Sequence, residues 1–345
     1  NVKATKAEFM GNIASNSGFN IAAATTSLGS NVTTNQGNIN INGVLGLTKD
    51  AVLSTGGGNI AFGGAIDSID AARNLNLAAG SGSITFSAPV GATGQLAKVA
   101  IKNAGDVTAN STINAQSLQV NSAGNINLLG NVTASNAGNG GAIELLSPQG
   151  KVNAKDLNTA GNTGGNITVK ALNSITAGKI TSFGTAGNAG NVFLDPIGDV
   201  QVGFINAQGG TSGNGGNVFV SSDHFVRATD SFPTLVSPTG FASISTAGGT
   251  GGTITIKHAG GDGGPPIQPF VVGGATINGT AAAITTGQFS ITSQSFPRSS
   301  SVGNIAFSTD DAIDPITPTP TPSVTPTPTP SVTPTLTPSA TPPQT

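Results

Sequence analysis

The sequence repeats one short pattern at nearly constant spacing, and this repeat constrains the fold more than any other feature. A Gly/Asn turn followed by an alternating apolar segment occurs as "AGNGGAIEL" at 137–145, "GNTGGNITV" at 161–169, "GNAGNVFL" at 187–194 and "GNGGNVFV" at 213–220. Self-similarity at such a period is typical of solenoids. The alternative interpretation is a set of unrelated hairpin turns in a β-sandwich, whose strands alternate in direction and need no repeated sequence.

Each repeat unit has three apolar positions, and the first of them recurs at 143, 167, 192 and 218, in steps of 24, 25 and 26. We predict that the three positions of every unit form an inward-facing core. The predicted core residues are Ile143, Val152, Leu157, Ile167, Ile175, Ile180, Val192, Val200, Ile205 and Val218. A weaker signal upstream passes through Val32, Val52, Leu75, Val99 and Leu118 at steps of 19 to 24, which gives about nine units.

Short strands at this period, with no helical periodicity, predict an all-β parallel solenoid. Each strand is too short to bury its apolar face alone, so a unit is stable only when it stacks on its neighbours. Equivalent residues should then form ladders about 4.8 Å apart. We predict one asparagine ladder of Asn166, Asn191 and Asn217 at a corner, with side-chain amides bonded between neighbours.

The pattern divides the chain into four segments. We expect an N-terminal lead-in and partial cap at 1–31 and regular units at 32–222. Irregular units with excursion loops and a C-terminal cap should occupy 223–314. Alternating Thr-Pro at 315–345 predicts a disordered, extended spacer, because this composition cannot join a sheet.

Composition excludes several classes of partner. The 13 basic and 15 acidic residues form no run of either sign, so we expect no nucleic-acid binding. No apolar run approaches the roughly 20 residues of a transmembrane helix. The chain has no Cys, which excludes disulfides and thiolate metal sites.

Candidate chemical groups are few, and we predict no catalytic, cofactor-binding or metal site. Asp195 and Asp199 are the nearest pair of carboxylates for sugar cleavage, but Lys170 is the counterpart of Asp195 one unit earlier, which favours an exposed ion pair. His224 and His258 lie just over one period apart, near Asp223. A weak metal or catalytic site there is the alternative to ordinary surface histidines.

The units "GGNITVKALNSITAGKITSFGTAGNAGNVFL", "ASISTAGGTGGTITIKH" and "FVVGGATINGTAAAITTG" resemble those of large bacterial exoproteins with filamentous-haemagglutinin-type repeats, especially cyanobacterial ones. The resemblance covers roughly residues 30–310 and rests on the repeat pattern rather than on a catalytic motif. It implies a right-handed, single-stranded parallel β-helix, here with about nine or more rungs at the 19–26 period of this sequence. It also implies two-partner export through an outer-membrane secretion partner.

We therefore expect a non-enzymatic structural or adhesive segment, without cofactors, located outside the cell or on the surface of a Gram-negative-type bacterium. Expected partners are other copies of the chain, or surface glycans and proteins, bound through the sides or ends of the solenoid. One alternative is a scaffold that leads through the Thr-Pro spacer to a caspase-like domain. A second alternative is a polysaccharide-acting β-helix.

Overall fold

All regular secondary structure in the described part of the chain consists of β-strands, most of them short. A computed structural model describes residues 2–234, 237–261 and 267–309, and these ranges contain no helix. The predicted Thr-Pro spacer at 315–345 lies outside the described residues. The all-β class predicted from the sequence is confirmed.

The strands are, in chain order, β1 (Val2–Phe9), β2 (Ile13–Ser15), β3 (Phe19–Leu28), β4 (Val32–Thr34), β5 (Ile39–Ile41), β6 (Val44–Leu47), β7 (Ala51–Thr55), β8 (Ile60–Phe62), β9 (Ile66–Ser68), β10 (Leu75–Ala78), β11 (Ile84–Phe86), β12 (Leu96–Asn103) and β13 (Val107–Ala109). They continue as β14 (Ile113–Asn121), β15 (Ile126–Leu128), β16 (Val132–Asn136), β17 (Asn139–Gly140), β18 (Ile143–Ser147), β19 (Val152–Ala154), β20 (Leu157–Asn158), β21 (Ile167–Ala171), β22 (Ile175–Thr176), β23 (Ile180–Thr181), β24 (Val192–Pro196), β25 (Val200–Val202) and β26 (Ile205–Asn206). The last are β27 (Val218–Ser222), β28 (Val226–Ala228), β29 (Phe232–Pro233), β30 (Phe241–Ser245), β31 (Ile254–His258), β32 (Phe270–Val272), β33 (Gly279–Thr280), β34 (Ala283–Thr285), β35 (Ser290–Ile291), β36 (Gln294–Phe296), β37 (Ser300–Val302) and β38 (Ile305–Ser308).

Parallel pairing between equivalent strands of successive units builds three stacks. The first stack runs β2, β4, β7, β10, β12, β14, β18, β21, β24, β27, β31 and β38. The second runs β3, β5, β8, β11, β13, β15, β19, β22, β25, β28, β33 and β32. The third runs through β3, β6 and β9, continues across bridges at Val90, and then follows β14, β16, β20, β23, β26, β30 and β34. This parallel stacking is compatible with a β-solenoid.

The ten predicted core residues lie on the inner faces of these stacks. Each of them is at most 1% exposed. Ile143, Ile167, Val192 and Val218 are register partners in the first stack. The second and third positions of the units pair in the same way, for example Ile175 with Val200 and Ile180 with Ile205.

One upstream position in the predicted pattern is wrong. Val52 is 40% exposed, whereas its neighbours Ala51 and Leu53 are fully buried. Leu53 pairs with Val32 of the previous unit, and Ala51 pairs with Leu75 of the next. Because side chains alternate between the two faces of a strand, a shift of one residue along the sequence places Val52 on the outer face.

The glycines before the asparagine ladder are required by close approach of the backbone. A Cβ atom added to Gly190 would lie 1.9 Å from the carbonyl oxygen of Gly165, one unit earlier. Gly216 stands in the same relation to Gly190, also at 1.9 Å. The Gly/Asn repeat therefore reflects backbone stacking at a tight corner, which any larger residue would force apart.

The regular spacing ends after Val218. In the first stack the step from Val218 to its next partner, Ile254, is 36, and the step from Ile254 to Ile305 is 51, so the units in this part of the chain carry insertions. At this end each stack finishes with an antiparallel strand: β37 pairs with β38, β36 with β32 and β35 with β34. These closing strands are two or three residues long. Short, polar edge strands of this kind hinder further strand addition.

Candidate functional site: the outer faces of the stacks

The predicted asparagine ladder exists, but its hydrogen bonds join side chain to backbone. The Asn191 backbone N–H donates to Oδ1 of Asn166, and the Asn217 N–H donates to Oδ1 of Asn191, both at 2.8 Å. The ladder continues to the Thr253 N–H, which donates to Oδ1 of Asn217 at 2.9 Å. These asparagines are exposed, and they serve to align successive units.

Aspartate takes the same position elsewhere in the molecule. The Asn74 backbone N–H and side-chain amide donate to the two carboxylate oxygens of Asp50, at 2.9 and 2.7 Å. The hydrogen bond from the Asn74 backbone, followed by that from its side chain, holds the pKa of Asp50 below its usual value. Acidic residues at these corners therefore have a structural role in aligning units.

From β11 to β22 the outward residues of the second stack are all polar and uncharged. They are the register partners Thr85, Thr108, Asn127, Asn153 and Thr176, which we call the outer polar row. The first four are partly exposed and Thr176 is exposed. Each member lies between two buried residues on strands only two or three residues long, so the inward packing fixes the outward direction of every member.

The outer face of the first stack is different, because it carries charges and aromatic rings. The rings of Phe193 and Phe219 stack with centroids 5.0 Å apart and planes 10° apart. Lys170 Nζ lies 5.0 Å from the centre of the Phe193 ring and 3.8 Å from Asp195 Oδ2. Lys257 Nζ lies 5.4 Å from the Phe219 ring.

The two candidate carboxylates have separate partners. Asp195 makes the predicted ion pair with Lys170, its register partner, but the side chains are partly buried, at 13% and 29% exposed, rather than exposed as the sequence suggested. Asp199 Oδ1 accepts a hydrogen bond from the Phe225 backbone N–H at 3.1 Å and lies 3.8 Å from Nδ1 of His224. Asp199 thus has the same corner role as Asn166 and Asp50.

The second histidine, His258, is buried rather than on the surface. It is 2% exposed at the end of β31, with its ring 5.6 Å from that of Phe270. The Asn278 side-chain nitrogen lies 3.1 Å from His258 Nδ1, so Nδ1 accepts this hydrogen bond and Nε2 carries the proton. Removal from water lowers the pKa of His258 from 6.5 to about 4, which keeps the imidazole neutral.

Asn278 joins three segments around this histidine. Besides the contact with His258, its Nδ2 donates to the Gln268 carbonyl at 3.2 Å, and its Oδ1 accepts from the Val226 backbone N–H at 2.9 Å. Nothing in the repeat pattern indicated Asn278, which lies in an insertion. A pocket of about 220 Å³ lies beside it, between Gln268 and Ile277.

In the part of the chain that the structure describes, no group of three or more His, Cys, Asp or Glu side chains could hold a metal ion. The same residues contain no helix that could span a membrane. No protein-family model matches the chain, and no curated protein or solved structure matches it.

Proposed function

We propose that this chain forms a rigid, non-enzymatic rod in an extracellular or surface-attached bacterial protein of the filamentous-haemagglutinin type, with an adhesive role. We further propose that the coil is right-handed, with about nine or more rungs at the 19–26 period of the sequence in its regular part. Export would use a two-partner route through an outer-membrane secretion partner.

The observation that carries this proposal is the unbroken parallel pairing of one stack from Ile13 to Ile305. Each unit adds about 4.8 Å along the stack. Because every unit contacts mainly its neighbours, such a chain is extended and presents long outer faces. Long, rigid outer faces suit an adhesive protein that reaches a surface some distance from the cell and makes many weak contacts with that surface.

Location and adhesion can be tested together in the organism that produces the protein. Antibodies against residues 143–222 should label intact cells, and deletion of the gene should lower attachment of the cells to surfaces. Restoring the gene should restore attachment. Labelling that appears only after the cells are lysed would contradict the proposal.

A further inference from the structure

We propose that the outer polar row is a binding face for a neutral polysaccharide that lies along the solenoid axis. This inference rests on the proposed adhesive function and specifies the chemical class of its ligand. It starts from five register partners of one stack, Thr85, Thr108, Asn127, Asn153 and Thr176.

The polar groups of this row have no structural use within the described protein. None of the five side chains makes a hydrogen bond to another described residue. Asparagines at the corners behave differently: Asn125, two residues before Asn127, accepts a hydrogen bond from the Lys151 N–H at 3.1 Å. The amides of Asn127 and Asn153 therefore remain available to a ligand or to water.

Asparagine in the middle of a strand also needs an explanation. Asn is depleted in strands because it packs poorly on a pleated surface. The same molecule uses charged side chains on the outer face of the first stack, where Glu144, Lys170 and Asp195 lie. Solubility alone would be served by such charges, yet none of the five members of the row is charged, and the first outward charge further along this register is Arg227, two units beyond Thr176.

The chemistry of the row favours an uncharged ligand. Amide and hydroxyl groups donate and accept hydrogen bonds, which is what the hydroxyl groups of a neutral sugar require. The charges that lie directly before the strands are of both signs, such as Asp106 and Lys151, so they would neither attract nor orient a charged polymer.

The repeat favours a polymer over a single sugar. The row places one polar group about every 4.8 Å along the axis, a spacing comparable to one sugar residue in an extended chain. No aromatic side chain lies in the row, so each sugar would be held only by hydrogen bonds and each contact would be weak. Many weak contacts on one linked ligand combine into useful affinity through a high effective concentration.

The test is affinity electrophoresis of the purified chain through gels that contain hydroxyethyl cellulose or soluble starch, both neutral, or heparin, which is anionic. We expect at least one neutral polymer to slow migration, and we expect this effect to persist in high salt because it involves no ion pairs. Heparin should have no effect in the same salt. A disaccharide of the bound polymer should not compete.

Two sets of variants locate the binding face. The triple variant Thr108→Ala, Asn127→Ala, Asn153→Ala should bind at least tenfold more weakly. The matched control, Thr133→Ala with Thr181→Ala, changes outward residues of the third stack and should bind like the wild type. Asn127→Asp alone keeps the side-chain shape but removes two donors, so it should also weaken binding.

Three outcomes would overturn the inference: no neutral polymer slows the wild type, only heparin does so, or a folded triple variant binds as tightly as the wild type. Thermal unfolding of each variant verifies that it is folded. Failure here is distinct from failure of the proposed function. If cells attach through the protein but the purified chain binds no neutral polymer, the adhesive role stands and this ligand class is wrong.

Discussion

An asparagine or aspartate directly before an inward aliphatic residue performs one task along most of the molecule. Its side-chain oxygen accepts a hydrogen bond from the backbone N–H of the equivalent residue one unit later, as Asn38 does for Asn59 and Asp156 for Lys179. Either residue can do this, because the task requires only an acceptor of the right length. The dipeptides Asn-Ile, Asn-Val, Asp-Val and Asp-Leu are thus a readable signal for the start of a strand in this chain.

Asn191 offers a direct test of this task. Asn191→Ala removes the acceptor of the Asn217 N–H, and we expect the free energy of unfolding to fall by about 1 kcal/mol, because the freed N–H can bond to water at this exposed corner. Asn191→Asp keeps the acceptor and should stay within about 0.5 kcal/mol of the wild type. Urea unfolding measures both. If both variants lost the same free energy of unfolding, the hydrogen bond accepted by Oδ1 of residue 191 would not be what stabilises this corner.

His258 gives the stability of the C-terminal region a dependence on pH. Burial lowers its pKa from 6.5 to about 4, so between these values the unfolded chain binds a proton that the folded chain does not. Stability therefore falls as the pH drops through this window. A shift of this size corresponds to a total loss of about 3 kcal/mol at 1.36 kcal/mol per pKa unit.

The geometry around His258 explains why the folded protein resists this proton. A proton on Nδ1 would face the Asn278 amide nitrogen, which is also a donor, and turning the amide would break its bond to the Val226 N–H. We expect His258→Gln, which keeps an acceptor but does not titrate, to reduce the loss of stability between pH 6.5 and pH 4. Urea unfolding across this range measures the slope. An unchanged slope in His258→Gln would contradict the assignment to this histidine.

At the scale of elements, the closing strands protect the C-terminal end of the stacks. Phe296 of β36 is 3% exposed, and its ring stacks on that of Phe307 at 4.2 Å. Phe296→Ala should destabilise this region by about 3–5 kcal/mol, because it leaves a cavity between the closing strand and the stack. Hydrogen exchange should increase in Phe270–Val272, the strand that pairs with β36. Ser295→Ala, an exposed neighbour on the same strand, should leave the exchange unchanged.

The regular units were predictable because their strands are set by alternation and by a constant period. That is why the inward positions from Ile143 to Val218 could be assigned from sequence, while Val52, in a unit with weaker alternation, was assigned to the wrong face. The outer polar row was not identified as a site, because Asn and Thr are common throughout the chain and only the register brings these five residues together. The sequence therefore indicated the core more readily than the surface.

The C-terminal strands could not be ordered from the sequence. In the second stack β33 lies between β28 and β32, so Phe270–Val272 comes earlier in the chain but sits further out. Gly279 permits this arrangement, since its φ is 147° and a Cβ atom there would lie 1.9 Å from the Val271 carbonyl oxygen. This strand order depends on one glycine and on insertions of variable length. No periodic pattern in the sequence therefore predicts it.

At the scale of the whole molecule, units that contact mainly their neighbours should be removable one at a time. Deletion of residues 167–191 removes one complete unit and joins Asn166 to Val192, which recreates the natural Asn191–Val192 junction. Ile143 would then pair with Val192, Val152 with Val200 and Leu157 with Ile205, and all three stacks would remain in register. We expect a folded, all-β protein with one cooperative transition and a moderately lower melting temperature, because one unit of buried apolar surface is lost.

A deletion of about half a unit is the matched control for this experiment. Removing 167–178 joins Asn166 to Lys179, so a strand of the third stack would follow a corner of the first stack, and the inward positions downstream would no longer match those upstream. We expect this shorter deletion to abolish the cooperative transition, although it removes fewer residues. Circular dichroism and thermal unfolding of the two variants give the comparison. If the half-unit deletion were the more stable variant, stability would not depend on the register of the units, and the description of the chain as independent stacked repeats would be wrong.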